Sequence, residues 1–227
     1  MSVNRRALVV QAVVFFVLFA AALFLPAGTL SWLAGWIYLI LFFAFFLGTT
    51  AWLVRYRPGL AQERTQLSTT DQRGWDKIIF PLLLIAPFAC LIFISLDAGR
   101  FHWSSVPLWV QAAGALLLLY SFYLIFIAFR ENSYASPVVR IQADRGQTVI
   151  SSGPYQYVRH PMYSGMVVFA IATPLLLGSW YGILAELIFL AVLGRRTVLE
   201  ERTLLQELPD YSAYKAKVKY RLIPYVW

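Results

Sequence analysis

The stretch Gly153-Pro154-Tyr155-Gln156-Tyr157-Val158-Arg159-His160-Pro161-Met162-Tyr163-Ser164-Gly165 concentrates donors, ring faces and a helix start in one place. Gly153-Pro154 reads as a turn. Pro161 suits the first turn of a following helix, where a missing N–H costs nothing. The free N–H groups of that helix start favour an anion such as a carboxylate, and Arg159 and His160 add donors beside it. Tyr155, Tyr157 and Tyr163 offer faces to a cation or an aromatic base. An arginine and aromatics alone would equally anchor a helix at a membrane interface. That plainer reading does not account for the turn, the Arg-His-Pro and the Tyr-x-Gly occurring in one run.

A second cluster is Arg195-Arg196-Thr197-Val198-Leu199-Glu200-Glu201. Arg196 and Glu200 are four residues apart and share a face on a helix. As an ordinary surface ion pair they would contribute about 0–1 kcal/mol. Downstream, Leu204, Leu205, Leu208, Tyr211, Tyr214 and Val218 form a helical stripe broken at Pro209, able to close over the first cluster. Arg221-Leu222-Ile223-Pro224 ends the folded part.

The elements that must position these clusters are apolar. Of the 227 residues, 60% are hydrophobic and 13% charged, against roughly 45–50% and 25% in soluble domains. Four runs, Ala7–Leu25, Trp32–Val54, Ile78–Leu96 and Pro107–Ala128, approach the roughly 20 residues that cross a bilayer. A fifth stretch, Met162–Leu193, is interrupted at Gly178-Ser179-Trp180-Tyr181-Gly182. It predicts a tilted helical hairpin with its turn at the interface, with a re-entrant pair or one long span as alternatives. The expected fold is all-α: a polytopic transmembrane bundle of four long helices, a C-terminal hairpin and cytoplasmic cofactor-binding segments. Residues 1–128 form its N-terminal membrane region and 129–227 its catalytic region, within one integrated domain. The two clusters flank the hairpin, so closing it brings them together.

Basic residues set the expected orientation. Arg5 and Arg6 precede the first run. Arg55, Arg57, Arg64, Arg73 and Lys77 fill the second loop, and Arg130, Arg140, Arg145 and Arg159 the fourth. Arg195, Arg196 and Arg202 follow the hairpin, whereas the intervening loops hold only Arg100. With the hairpin as two passes, every basic loop falls on one side and both termini are cytoplasmic. The first run exceeds the usual 7–15 apolar residues of a signal peptide and reads as an uncleaved helix.

Several functions are disfavoured. The net charge of +8 lies at the ends of apolar runs, not on a nucleic-acid-binding surface. Cys90 is a single cysteine inside a membrane run, expected to pack as a small apolar residue. With two histidines it makes no metal site. His102 is expected to be solvated, and Asp97 to need no special role. Glu186, a carboxyl within the hairpin, faces a polar interior in either a functional or a structural role. No Gly-x-Gly occurs, so the glycine-rich turn of soluble nucleotide-binding folds is missing.

Taken together, Gly153-Pro154-Tyr155, Val158-Arg159-His160-Pro161-x-Tyr163-x-Gly165, Glu200-Glu201, Tyr211-x-x-Tyr214 and Ile223-Pro224 resemble the isoprenylcysteine carboxyl methyltransferases and their phospholipid N-methyltransferase relatives. The resemblance covers about Arg130 to Trp227. It implies S-adenosylmethionine as cofactor, contacted by Gln147, Thr148, Val149, Ile150, Tyr155, His160, Pro161, Met162, Tyr163 and Glu200. It implies a substrate-contacting, orienting role for Arg196, towards a lipophilic or small methyl acceptor reached from the lipid bilayer. Arg140 stands where the prenylcysteine enzymes have glutamine, a departure on the acceptor side. No metal, nucleic acid or catalytic base is implied. The rival readings are a steroid-reductase-type NADPH enzyme, whose Arg-His-Pro run continues with Asn and Glu absent here, and a non-catalytic membrane protein.

Overall fold

The computed structural model describes residues 5–227, and the side chains of all of these except Arg5 and Ala7. Arg5 as a basic flank, and the first four residues of the expected N-terminal region, fall outside that description. Among the described residues every regular element is helical: α1 (Arg5–Ala27), α2 (Leu33–Tyr56), α3 (Pro58–Glu63), α4 (Asp76–Ile94), α5 (Leu108–Glu131), α6 (Pro161–Leu177), α7 (Trp180–Glu207) and α8 (Tyr211–Lys217).

The four expected runs appear as α1, α2, α4 and α5, each long and apolar enough to cross a membrane. Their outward faces keep Leu25, Ile40, Ile78, Ile85 and Leu116 more than 60% exposed. A continuous apolar exterior of this kind suits hydrocarbon and not water. Inward faces meet in an aromatic core that includes Phe19, Tyr38, Phe43 and Phe122, with Phe45 stacked on Phe122 at 4.3 Å between centroids. α4 tolerates Pro81 and Pro87, as helices in lipid do when neighbours support the freed carbonyls. It passes directly into a wider π-type turn, Ser95–Phe101.

The hairpin differs from expectation at its turn. Only Gly178 and Ser179 separate the helices; Trp180, Tyr181 and Gly182 are already helical. Gly178 adopts φ 89°, the left-handed conformation that ends a helix with little strain only in glycine. Ser179 caps α7 by accepting from Gly182 N at 2.8 Å. The tip reaches the opposite end of the bundle from the basic loops. There Ser179 Oγ donates to Asp97 Oδ2 at 2.5 Å, and the Trp180 indole to the Ser105 carbonyl at 3.2 Å. α6 therefore runs the height of the bundle, about 25 Å at about 1.5 Å per residue.

Asp97 has a role that the sequence reading denied it. It is wholly buried, and it also accepts from Ser104 N at 2.8 Å and Ser104 Oγ at 2.6 Å. It joins the α4–α5 connection to the hairpin tip. His102 is exposed. Cys90 is buried, with Sγ 3.5 Å from the Ala185 carbonyl. Glu186 is 4% exposed within the apolar arm of α7.

α5 and α6 pack through glycine. A Cβ on Gly114 would lie 2.5 Å from Leu176 N, and one on Gly165 would lie 2.7 Å from Ile125 Cγ1. Removing side chains at the contact lets the two backbones approach, and Ser121 Oγ donates to the Gly165 carbonyl at 3.0 Å. This contact fixes α6, and with it the His160-Pro161 start, against the end of α5.

Candidate functional site

α7 carries the second cluster. The helix continues past the apolar arm to Glu207, so Arg196, Glu200 and Glu201 project from one rigid rod beside the α6 start. Pro161 opens α6 after His160, and a short 3-10 turn at Gly153–Gln156 leads into it. Gly153 takes φ 55°, which makes the expected turn there inexpensive for glycine.

The two clusters meet. The Tyr163 hydroxyl donates to Glu200 Oε2 at 2.6 Å. Arg159 Nε donates to Glu201 Oε1 at 2.5 Å and its Nη1 to the Val218 carbonyl at 2.6 Å. Arg221 Nε reaches the other oxygen, Glu201 Oε2, at 2.7 Å. The C-terminal segment is laid along this network: Arg159 N donates to the Tyr220 carbonyl at 3.0 Å and His160 N to the Arg221 carbonyl at 2.9 Å. Burial alone would raise the Glu201 carboxyl, but the two guanidinium groups outweigh it and hold the carboxyl below its ordinary range. Arg159 is therefore engaged by Glu201, where the sequence reading had it as a donor beside the helix start.

Arg196 does not pair with Glu200 across the shared helical face. It is 5% exposed, and its Nε lies 3.1 Å from Asp76 Oδ1 while its Nη2 donates to the Pro137 carbonyl at 2.5 Å. Asp76, wholly buried at the start of α4, accepts also from Val139 N at 2.8 Å and from Gln72 Nε2 at 3.0 Å. This carboxylate went unnoticed in sequence, where one aspartate before an apolar run reads as a helix-start charge.

Between α7, α8, the α6 start and the loop 132–150 lies a cavity. Of the residues singled out in sequence, Gln147, Thr148, Val149, Ile150, Tyr155, His160, Met162, Tyr163 and Glu200 line it; Pro161 and Arg196 do not. Tyr211 and Tyr214 of the downstream stripe close another wall, with the Tyr214 hydroxyl fixed on the Tyr155 carbonyl at 2.7 Å. The Tyr155 hydroxyl accepts from Asn132 Nδ2 at 3.0 Å. Four lining residues leave a buried polar atom with no partner in the protein: Ser136 Oγ, Arg140 Nε, His160 Nε2 and Tyr211 Oη. Each such atom costs about 1–3 kcal/mol, and all four belong to residues that line the same cavity.

Electrostatics divide the site. Burial pushes the His160 imidazole below its ordinary pKa, against the pull of Glu200 and Glu201, so it stands neutral at pH 7. Arg140 is held by Glu63 at 3.1 Å, Asp71 at 2.8 Å and Asp144 at 3.1 Å. That cluster ties the α3 loop to the cavity wall.

The same segment carries the comparison with known proteins. Residues 109–209 match the phospholipid methyltransferase family. The match runs from α5 to the end of α7 and so takes in both clusters, the Arg-His-Pro start and the glutamate pair; Tyr211, Tyr214 and Ile223-Pro224 lie beyond it. The chain is also 32% identical over 85 residues to protein-S-isoprenylcysteine O-methyltransferase of Schizosaccharomyces pombe, covering 37% of this chain and 36% of that protein. It is 30% identical over 137 residues to the Saccharomyces cerevisiae protein of the same name, covering 57% and 56%. For the Rattus norvegicus protein the figures are 30% over 113 residues, covering 48% and 40%. The chain thus spans between about a third and a little over half the length of these relatives. The likeness to phospholipid methyltransferases falls on the half of the molecule that builds the cavity.

Proposed function

We propose that this chain is a membrane-embedded methyltransferase that uses S-adenosylmethionine and methylates a lipophilic or small acceptor. One observation carries the reading: a free carboxylate oxygen of Glu200, unpartnered polar atoms and tyrosine faces surround one cavity in the segment that resembles the methyltransferases. The donor set fits the cofactor's chemistry. Glu200, oriented by the Tyr163 hydroxyl, would hold an ammonium group by a charge-assisted hydrogen bond. Neutral His160 and the free N–H groups of the α6 start, at Met162 and Tyr163, suit a carboxylate. Tyr155 and the stretch Gln147-Thr148-Val149-Ile150 would flank the adenine.

When bound, such a cofactor supplies an electrophilic methyl group on a sulfonium. The chain's own task is alignment, which contributes most to a displacement of this kind. Its rigid α7 rod and the strapped C-terminal segment hold the lining groups, and no side chain is assigned as a general base. Arg196 acts on the acceptor side as a positioning residue, keeping the Pro137–Val139 stretch against α7 together with Asp76. The end of the bundle that holds the basic loops and the cavity faces the cytoplasm, as loop charge favours. Transfer of labelled methyl from S-adenosylmethionine to total membrane lipid, and to a panel of carboxylate, amine and thiol amphiphiles, tests the proposal. Label on one acceptor class supports it, and no transfer to any of them contradicts it.

A further inference from the structure

The arginines around the cavity are not equivalent. Arg140, Arg159 and Arg196 each pair with a carboxylate supplied by the protein. Arg64 does not. It follows α3 and is partly buried, and among the described residues no carboxylate lies within ion-pair distance of it. Its Nη1 donates to the Ala135 carbonyl at 3.2 Å, and its guanidinium lies 4.3 Å from the Phe129 ring centroid. Arg145, also partly buried without a carboxylate, sits on the outer loop with two oxygen acceptors, Gln142 Oε1 and the Ser133 carbonyl.

A guanidinium has five N–H donors in a planar fork suited to a carboxylate or phosphate, and one hydrogen bond leaves most of that fork unused. The surroundings are apolar: Leu60, Phe129 and Ala135, with Trp52 and Met162 packed against them. Burial and the nearby charge of Arg196 push the Arg64 guanidinium down to about 10, so the protein itself disfavours the cation it holds there. Ala135 and Met162 belong both to this cluster and to the cavity lining. Arg64 does not itself line the cavity, but through Ala135 and Met162 it lies one residue layer behind the cavity wall, beside the C-terminal ends of α2 and α5.

We propose that Arg64 receives the anionic group, a carboxylate or a phosphate, of an amphiphilic methyl acceptor whose tail lies along the α2–α5 cluster. The proposal rests on the methyltransferase reading for the acceptor's fate, and not for its binding. It also explains why Arg196 can be closed on Asp76: the acceptor's charge is met elsewhere.

Calorimetry on the detergent-purified full chain tests it with three probes: an S-farnesylcysteine carboxylate, the matching carboxamide, and a lysophosphatidic acid. Wild type is expected to bind the carboxylate, the phosphate or both about tenfold more tightly than the amide; which of the two is preferred identifies the source of the anion. Arg64→Gln abolishes that preference and Arg64→Lys restores part of it. Equal binding of acid, phosphate and amide by wild type, no binding of either anion, or an unchanged preference in Arg64→Gln overturns the proposal. S-adenosylhomocysteine affinity is measured on the same samples. Its absence in wild type would defeat the methyltransferase reading while leaving the anion preference decided. If Arg64→Gln alone loses it, the preference of Arg64→Lys decides instead, retention supporting the proposal and loss overturning it.

Discussion

The Tyr163 hydroxyl and the Glu200 carboxylate meet at 2.6 Å, joining the first turn of α6 to the C-terminal third of α7 across 37 residues. Tyr163 aims one carboxylate oxygen, and among the described residues nothing hydrogen-bonds the other. Behind this contact, Glu201 binds Arg159 and Arg221. Two adjacent glutamates therefore have separate duties: one lines the cavity, and the other clamps the C-terminal segment that closes it.

Glu201→Gln removes the counter-charge of two guanidinium groups and is expected to destabilise the protein by about 3–5 kcal/mol, read as a lower melting temperature in detergent. The native interaction carries its own pH signature. Its folded-state pKa lies below the ordinary carboxyl value of about 4.3. The stability it contributes is thus full above about pH 5 and lost as pH falls through that folded value. Glu201→Gln should be less stable than wild type at pH 7 and converge with it in acid.

Asp76→Ala leaves Arg196 buried without its partner and frees Val139 N, again a loss of about 3–5 kcal/mol. The apolar pair Asp76→Leu with Arg196→Met should recover much of that loss. Thermal melts of Asp76→Leu, Arg196→Met and the double form the cycle. Additive losses would mean that the two side chains do not act as a pair.

His160 titrates in the opposite sense from a salt-bridged histidine. Burial keeps its folded pKa below the unfolded value of about 6.5, so the unfolded chain binds the proton first. Stability from this group is complete above about pH 7 and declines as pH falls below about 6.5. His160→Gln should flatten the slope of unfolding free energy between about pH 7 and 5, by up to about 1.4 kcal/mol per pH unit.

At the other end of the bundle, Asp97→Ala removes the acceptor of Ser104 and Ser179. Loss of hydrogen bonds to a charged group predicts about 1.5–3 kcal/mol of destabilisation, with S-adenosylhomocysteine affinity unchanged because the cavity is a helix length away. A melt and a binding isotherm on the same variant separate the two effects.

Apolar runs made the four long helices legible, because length and hydrophobicity suffice for a membrane span. The hairpin was read less fully: the spacing of Arg196 and Glu200 showed a helix beyond the apolar arm, but not that α7 runs unbroken from Trp180 to Glu207 with Arg196 closed on Asp76 at the start of α4. The nearness of Glu200 to the His160-Pro161 start could be anticipated from hairpin closure and family likeness. Asp76 and Asp97 could not, since a lone aspartate at a run's end looks the same whether it faces water or a buried guanidinium. Arg196 shows the same limit. Helical spacing offered Glu200 as its partner, and a residue far away in sequence took that place.

In the proposed reading, Glu200 and the α6 start enclose a charged nucleoside. Titration of purified wild type and Glu200→Ala with S-adenosylhomocysteine in a calorimeter measures it most directly. Wild type is expected to bind saturably, and Glu200→Ala at least tenfold more weakly at an unchanged melting temperature. Equal affinity in the two proteins, or no binding by wild type, would contradict it.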